Sequence, residues 1–307
     1  MTTFRSNGKL LITGEYVVLD GAISLALPTK FGQSLTVEKA SRSGLYWKAY
    51  NNKNEIWLDL FFEIDEIVSK PNTSSSSKTD SEEANLLKIL QTAHSLNPDL
   101  LQEANGLKVT TNLDFPKNWG LGTSSTLINN IAQWFKIDAY KLLALTFGGS
   151  GYDIAAAQHN NAFTYELSNE ISNILNVSFD PVFKDELFFV HLNQKQNSRE
   201  SIQHYRAQSK ADLQNNISKI SGLTSQFLTC GSLKEFELLI KIHETIISQI
   251  INTPKVQSEL FPDFSGAVKS LGGWGGDFVL ATGKEDAKDY FTKKGYNTII
   301  PFTEMAL

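Results

Sequence analysis

One cysteine stands in 307 residues. Cys230 can form neither an internal disulfide nor a multi-thiolate metal site, and a buried lone thiol is a small hydrophobe, so a reducing cytoplasm is the expected setting. Basic charge is not in excess: Lys plus Arg number 28 against 33 for Asp plus Glu, a formal net charge of -5. That argues against the broad basic face a nucleic-acid backbone requires. Long apolar runs are also missing. The opening MTTFRSNGKLLITGEYVVLDG is interrupted at Thr13, Gly14 and Glu15, too early for the apolar region of a signal peptide, and no stretch approaches the ~18 residues of a membrane helix. A soluble chain without nucleic-acid or membrane partners is expected.

Three familiar motifs are absent. No GxxxxGK followed by Ser or Thr occurs, and Gly149-Ser150-Gly151-Tyr152-Asp153-Ile154 lacks the last glycine of GxGxxG, which excludes P-loop and Rossmann readings. His243-Glu244 is followed by Ile247 where a zinc protease needs its second histidine, so His243 is read as a solvated helix residue.

What is present is an ordinary globular composition, 41% hydrophobic and 20% charged, on a chain long enough to hide roughly three-quarters of its unfolded surface. Leu10 to Lys39 reads as two or three strands broken at Asp20-Gly21 and Pro28, and Leu45 to Phe62 as a hairpin rich in aromatic and β-branched residues. Residues 71–81 (PNTSSSSKTDS) offer almost no apolar surface to offset ordering and read as a mobile loop. Ser81 is a candidate N-cap for a helix ending before Asn97-Pro98, and Leu107 to Leu113 returns to strand. Helical spacing marks Thr123 to Phe135 and Ala139 to Phe147, with a third helix starting near Tyr152. In the second half, 188–192 and 277–282 read as strands, and Ser198 to Leu228 and Leu233 to Ile251 as two long helices. The result is a mixed α+β chain with a boundary between Ser168 and Asp185.

Three glycine-rich segments carry chemical signal. GLGTSST, Gly120 to Thr126, lies between an extended segment and a helix. Backbone N–H groups at a helix start, glycines that permit close approach and donor hydroxyls suit an anion such as phosphate; a plain capped turn has the same composition. FGGSGYDIAAA, Phe147 to Ala157, runs from flexible glycines into a tightly packed helix with Asp153 near its start, where the carboxylate either complements the helix dipole or serves a site. SLGGWGGDFVLAT, Ser270 to Thr282, has four glycines around Trp274 before a strand and is either a tight turn or a ligand loop.

The order of these segments resembles the galactokinase, homoserine kinase, mevalonate kinase and phosphomevalonate kinase (GHMP) superfamily over most of the chain. Gly8-Lys9-Leu10 through Gly14-Glu15-Tyr16 and Gly21 resembles its first motif, the Glu-Tyr pair being more like phosphomevalonate kinases than the Glu-His of mevalonate kinases. GLGTSS is similar to the GLGSSA phosphate loop, GSGYDIAAA to the GSGFDVAAA of phosphomevalonate kinases, and LGGWGGD, Leu271 to Asp277, to a third loop, SGAGGGD. The resemblance implies a two-domain α+β fold. Residues 1–175 would form an N-terminal domain like domain 2 of ribosomal protein S5, and 176–307 a ferredoxin-like C-terminal domain, with ATP between them.

It also implies a cytoplasmic, ATP- and magnesium-dependent kinase, monomer or homodimer, acting on phosphomevalonate or a mevalonate-like acceptor in isoprenoid precursor synthesis. Mevalonate kinase or another GHMP sugar or amino-alcohol kinase is the near alternative, and a non-catalytic GHMP-fold binding or interaction protein the distant one. By the resemblance Lys9 and Asp153 are catalytic. Gly120, Leu121, Gly122, Thr123, Ser124 and Ser125 hold the ATP phosphates, with Ser124 also on magnesium. Glu15, Ser150, Gly151 and Tyr152 line the acceptor side, and Gly272, Gly273, Gly275, Gly276 and Asp277 form the third loop. Lys195, Ser198 and Arg199, near a helix start after a strand, match segments near the acceptor, although an exposed charged loop reads equally well. One departure stands out: the glutamate with which mevalonate kinases help hold magnesium, eleven residues before the catalytic aspartate, is Leu142 here.

Overall fold

The computed structural model describes residues 1–69, 81–102, 106–169 and 171–307. The expected mobile loop, except Ser81, lies outside the described residues. By its contacts the chain forms two compact units that interleave in sequence. The first comprises Met1–Gly8, Phe31–Lys117 and Gly122–Gln158, and the second Lys9–Lys30, Asn118–Leu121 and His159–Leu307.

The first unit is built on strands β1 (Thr2–Leu11), β2 (Ser24–Lys39), β3 (Gly44–Tyr50), β4 (Ile56–Phe62) and β5 (Gly106–Leu113) and helices α1 (Ile64–Val68), α2 (Glu82–Leu96), α3 (Asp99–Gln102), α4 (Thr123–Phe135), α5 (Ala139–Thr146) and α6 (Tyr152–Gln158). Its strand order is β4-β3-β5-β2, parallel only between β3 and β5. The expected hairpin is β3 and β4, and alternation along β3 buries Leu45, Trp47 and Ala49 against helix residues Leu86, Leu90, Ile128, Ile131, Phe135 and Leu142. Ser81 caps α2, as expected, by accepting from the Ala84 amide at 3.1 Å, and Asp138 caps α5 by accepting from the Tyr140 amide at 2.7 Å. A polar seam fixes α4 to β1 and β2: Ser6 Oγ donates to Asn130 Oδ1 at 2.7 Å, and Asn130 Nδ2 donates to the Gln33 carbonyl at 3.0 Å. Buried amides so paired set register as well as contact.

The second unit contains β6 (Phe163–Ser168), β7 (Ile171–Asn176), β8 (Leu187–His191), β9 (Val268–Ser270), β10 (Phe278–Thr282) and β11 (Ile299–Pro301), with α7 (Ser198–Arg206), α8 (Leu213–Thr229), α9 (Leu233–Ile251), α10 (Val256–Leu260), α11 (Glu285–Lys293) and α12 (Phe302–Met305). The start of β2, Ser24–Ala26, pairs with β6, and β6 with β7. A separate antiparallel sheet runs β11-β8-β10-β9. Every residue of β8, β9 and β10 is buried, as covering both faces requires. Phe188, Val190, Val279 and Ala281 pack with Phe261, Phe264 and Phe291. Lys269 lies in register with Leu280 on β10, and α9 packs against β9.

Three expectations are corrected. The helix expected over Ser198 to Leu228 is two, because 207–212 (AQSKAD) has no apolar periodicity and Lys210 is tied to Asp20 at 2.9 Å. The stretch between Ser168 and Asp185 is not all linker, since β7 pairs along β6. His243 is not solvated: it is fully buried on the inner face of α9, where its place among Phe236, Leu239, Ile240 and Ile247 follows the helical period.

Candidate functional site

The second unit brings its glycine-rich and charged segments together from opposite ends of the sequence. Lys9, Leu10, Leu11, Trp119, Gly120, Leu271, Gly272, Asp277 and Phe278 line a cavity of about 10 Å³, room for about one water. β1 meets the loop here, the Lys9 amide donating to the Leu121 carbonyl at 3.0 Å. Gly120 has φ +66°, and a Cβ on it would overlap the Asp277 carboxyl; only glycine allows that carboxylate to sit against the backbone. Lys9 Nζ and Asp277 Oδ2 lie 3.9 and 4.0 Å from where a Cβ on Gly272 would stand. Asp277, itself at φ 54°, accepts from the Gln196 amide at 3.2 Å through Oδ1. Burial pushes its carboxyl up, and Lys9, the Gln196 amide, His191 and Lys195 pull it down.

The third glycine-rich loop is clasped by neighbours. Gln196 Nε2 donates to the Trp274 carbonyl at 2.5 Å, and Gln194 Nε2 donates to the Gly275 carbonyl. The Trp274 amide donates to Tyr16 Oη at 3.1 Å, while Tyr16 stacks on Tyr205 with ring centroids 5.6 Å apart. Gly273 and Gly276 face Gln196. Lys195, Ser198 and Arg199 are exposed beside this clasp, with Asn197 capping α7 through the Arg199 amide at 3.1 Å.

Beneath the loop is a buried ionic cluster that sequence reasoning missed. Lys269 Nζ donates to Glu15 Oε1 at 2.5 Å, to the Ser270 carbonyl at 3.0 Å and to Glu244 Oε1 at 3.4 Å. Glu244 Oε2 accepts from Ser270 through its amide (3.1 Å) and Oγ (2.9 Å). His243 Nε2 accepts from the Gly14 amide at 3.1 Å, so the imidazole is neutral there. Burial pushes Glu15 up to about 7 against the pull of Lys269, raises Glu244 and holds His243 well below its ordinary range, aided by Lys269. Glu15, expected on the acceptor side, thus has a side chain committed to the frame: it is 1% exposed. The one available signal was a lysine inside the apolar run Ala267 to Leu271.

The remaining candidates belong to the first unit. Its part of the phosphate-type loop opens α4, with Gly122 at the N-cap in a left-handed conformation and no side chain capping it. Ser125 Oγ and Thr126 Oγ1 both turn back to the Gly122 carbonyl at 2.9 Å; Ser124 is exposed. The first-turn amides of α4 therefore remain available to an anion. Asp153 sits in the first turn of α6, half-buried, and its Oδ1 accepts from the Ile154 amide at 3.1 Å. Ser150 and Gly151 are buried and Tyr152 is half-buried. Leu142 is fully buried in the apolar core and offers no metal ligand. No cluster of three or more His, Cys, Asp or Glu able to hold a metal exists among the described residues, and no helix among them is long and apolar enough to cross a membrane.

No protein-family model matches the sequence, and no curated protein does. Solved structures do. Mevalonate kinase of Methanococcus jannaschii superposes with a TM-score of 0.70 at 15% identity, over 97% of this chain and 96% of that one. Phosphomevalonate kinase of Streptococcus pneumoniae, in complex with phosphomevalonate and AMPPNP, gives 0.69 at 14% identity, over 97% and 99%. Galactokinase of Lactococcus lactis, complexed with galactose, gives 0.65 at 12% identity, over 97% and 93%. The α+β architecture of this chain is therefore the fold of these mevalonate kinase, phosphomevalonate kinase and galactokinase structures.

Proposed function

We propose that this protein is an ATP-dependent small-molecule kinase that transfers the γ-phosphoryl group to phosphomevalonate or a mevalonate-like acceptor. The observation that carries the reading is the convergence of Lys9, Gly120 and the Gly272–Asp277 loop on one cavity, on a fold shared with kinases whose structures hold phosphomevalonate with AMPPNP, or galactose.

In this reading the uncapped start of α4 receives the polyphosphate, and Lys9 neutralises charge on the transferring group. The bond from the γ-phosphorus to the bridging oxygen breaks as a bond to the acceptor oxygen forms; ADP leaves with the bridging oxygen. Such a loose transition state depends on alignment and charge neutralisation. Asp153 takes the proton late if the acceptor is an alcohol, and needs none if it is a phosphate monoester. Lys195, Ser198 and Arg199 are assigned to the acceptor's anionic group.

Magnesium, when bound, would supply positive charge that offsets that of the phosphates. The exposed Ser124 hydroxyl and the Asp153 carboxylate suit a hard cation that otherwise keeps water and substrate oxygens, whereas Leu142 supplies nothing. That loss favours a second reading, a nucleotide-binding relative that does not transfer phosphate. A coupled ADP-release assay with mevalonate, phosphomevalonate, galactose and homoserine decides between them. ADP release with phosphomevalonate or mevalonate supports the kinase; nucleotide binding without release on any of the four favours the second reading.

A further inference from the structure

We propose that Asp277 is a positioning residue for Lys9, its carboxylate seated on the bare backbone of Gly120 so as to hold the Lys9 ammonium charged and fixed at the cavity wall. The inference rests on the kinase reading for its consequence, but not for its geometry. Lys9 and Asp277 both line the cavity and flank the same point above Gly272, at 3.9 and 4.0 Å. The carboxylate cannot drift: its backbone is anchored at both ends, Asp277 N–H to the Gln194 carbonyl at 2.9 Å and the Leu192 amide to its carbonyl at 2.8 Å. Its Oδ1 is occupied by the Gln196 amide, and Gly120 walls one side.

A lysine in a site that must admit anions and exclude water is prone to shed its proton, because desolvation disfavours the ammonium when no anion is bound. A fixed carboxylate in the same cavity counters that tendency and limits the side chain's wandering. Among the described residues, the cationic or protonatable groups acting on Asp277 are Lys9 from β1, His191 from β8 and Lys195 from the loop after it. Of these, Lys195 is exposed and screened by solvent. His191 is engaged through Nε2 with the Asn118 carbonyl at 3.2 Å. Lys9 also exerts the strongest electrostatic pull on this carboxylate.

The test separates charge from structure. Asp277→Asn keeps the Oδ1 acceptor for Gln196 and suits a left-handed backbone, so only the charge is lost. In protein carrying labelled lysine, with the Lys9 resonance identified by its loss in Lys9→Met, the Lys9 titration midpoint should fall by about one unit or more in Asp277→Asn. The reciprocal measurement uses Lys9→Met: the Asp277 carboxyl midpoint should rise, since coupling acts equally on both partners. It also covers the case in which Asp277→Asn does not fold. If the enzyme turns over, the alkaline limb of its kcat profile moves to lower pH in Asp277→Asn. Midpoints that stay put in both variants overturn the proposal even if the protein is an active kinase. Midpoints that move without ADP release on any acceptor uphold the pairing while the kinase reading fails.

Discussion

Replacing Glu15 with Gln tests the buried cluster under the third loop. In the folded protein the Glu15 carboxyl is raised from 4.5 to about 7, chiefly by burial, so over that window the native state holds a proton that the unfolded chain has released. Stability tied to this group is complete at acid pH and is lost as pH rises through about 7. Between about pH 5 and about pH 8 the loss amounts to about 2.5 kcal/mol. Glu15→Gln removes the titration while leaving Lys269 its second partner, Glu244, at 3.4 Å. The charge of Glu244 adds to the rise at Glu15 by repulsion. His243, neutral and buried, costs stability as pH falls, but it does so in both proteins and cancels in their difference. Urea unfolding of wild type and Glu15→Gln should therefore show the variant gaining about 2.5 kcal/mol on wild type between about pH 5 and about pH 8. A difference that is flat across that range, or that moves the other way, would show that the carboxyl ionises normally and that the cluster is wrongly described.

Lys9→Met should lower kcat on the order of 100-fold or more with little change in the KM for ATP; unchanged turnover in the ADP assay removes Lys9 from the mechanism. Alanine at Lys195 or Arg199 should raise the acceptor KM by about tenfold or more if that acceptor carries phosphate, and an unaltered KM refutes the assignment. Gly120→Ala should destabilise by about 1–3 kcal/mol, and by more than Gly149→Ala. Both sites have positive φ, but only Gly120 is crowded by a carboxyl while Gly149 has nothing within 4 Å; equal denaturation midpoints would contradict the packing. Leu142→Ala should cost about 2–5 kcal/mol as a core truncation without altering the magnesium requirement of turnover; a changed metal dependence with stability intact would return that position to the site.

Local physics made much of this protein legible before any coordinates. Helix α4 runs over the expected Thr123 to Phe135, because its apolar period and preceding glycines are contained in a short stretch of chain. The Ser81 cap and strands such as β5 are equally local. The three glycine-rich segments were visible for the same reason, since composition marks backbone that must bend or approach closely. What one-dimensional pattern could not carry were pairings between distant residues. A lysine in a three-strand-residue segment, β9, shows no period, and only the packing of α9 and the motif around Glu15 against it makes Lys269 a core ion rather than a surface charge. His243 looked solvated because its face of α9 is defined by what covers it. Asp277 and Lys9 line one cavity although they stand near opposite ends of the chain and beside different sheets. Sequence thus determined where the backbone bends and which faces are apolar; the tertiary structure decided which charges share a low-dielectric space, because that depends on contacts between residues hundreds of positions apart.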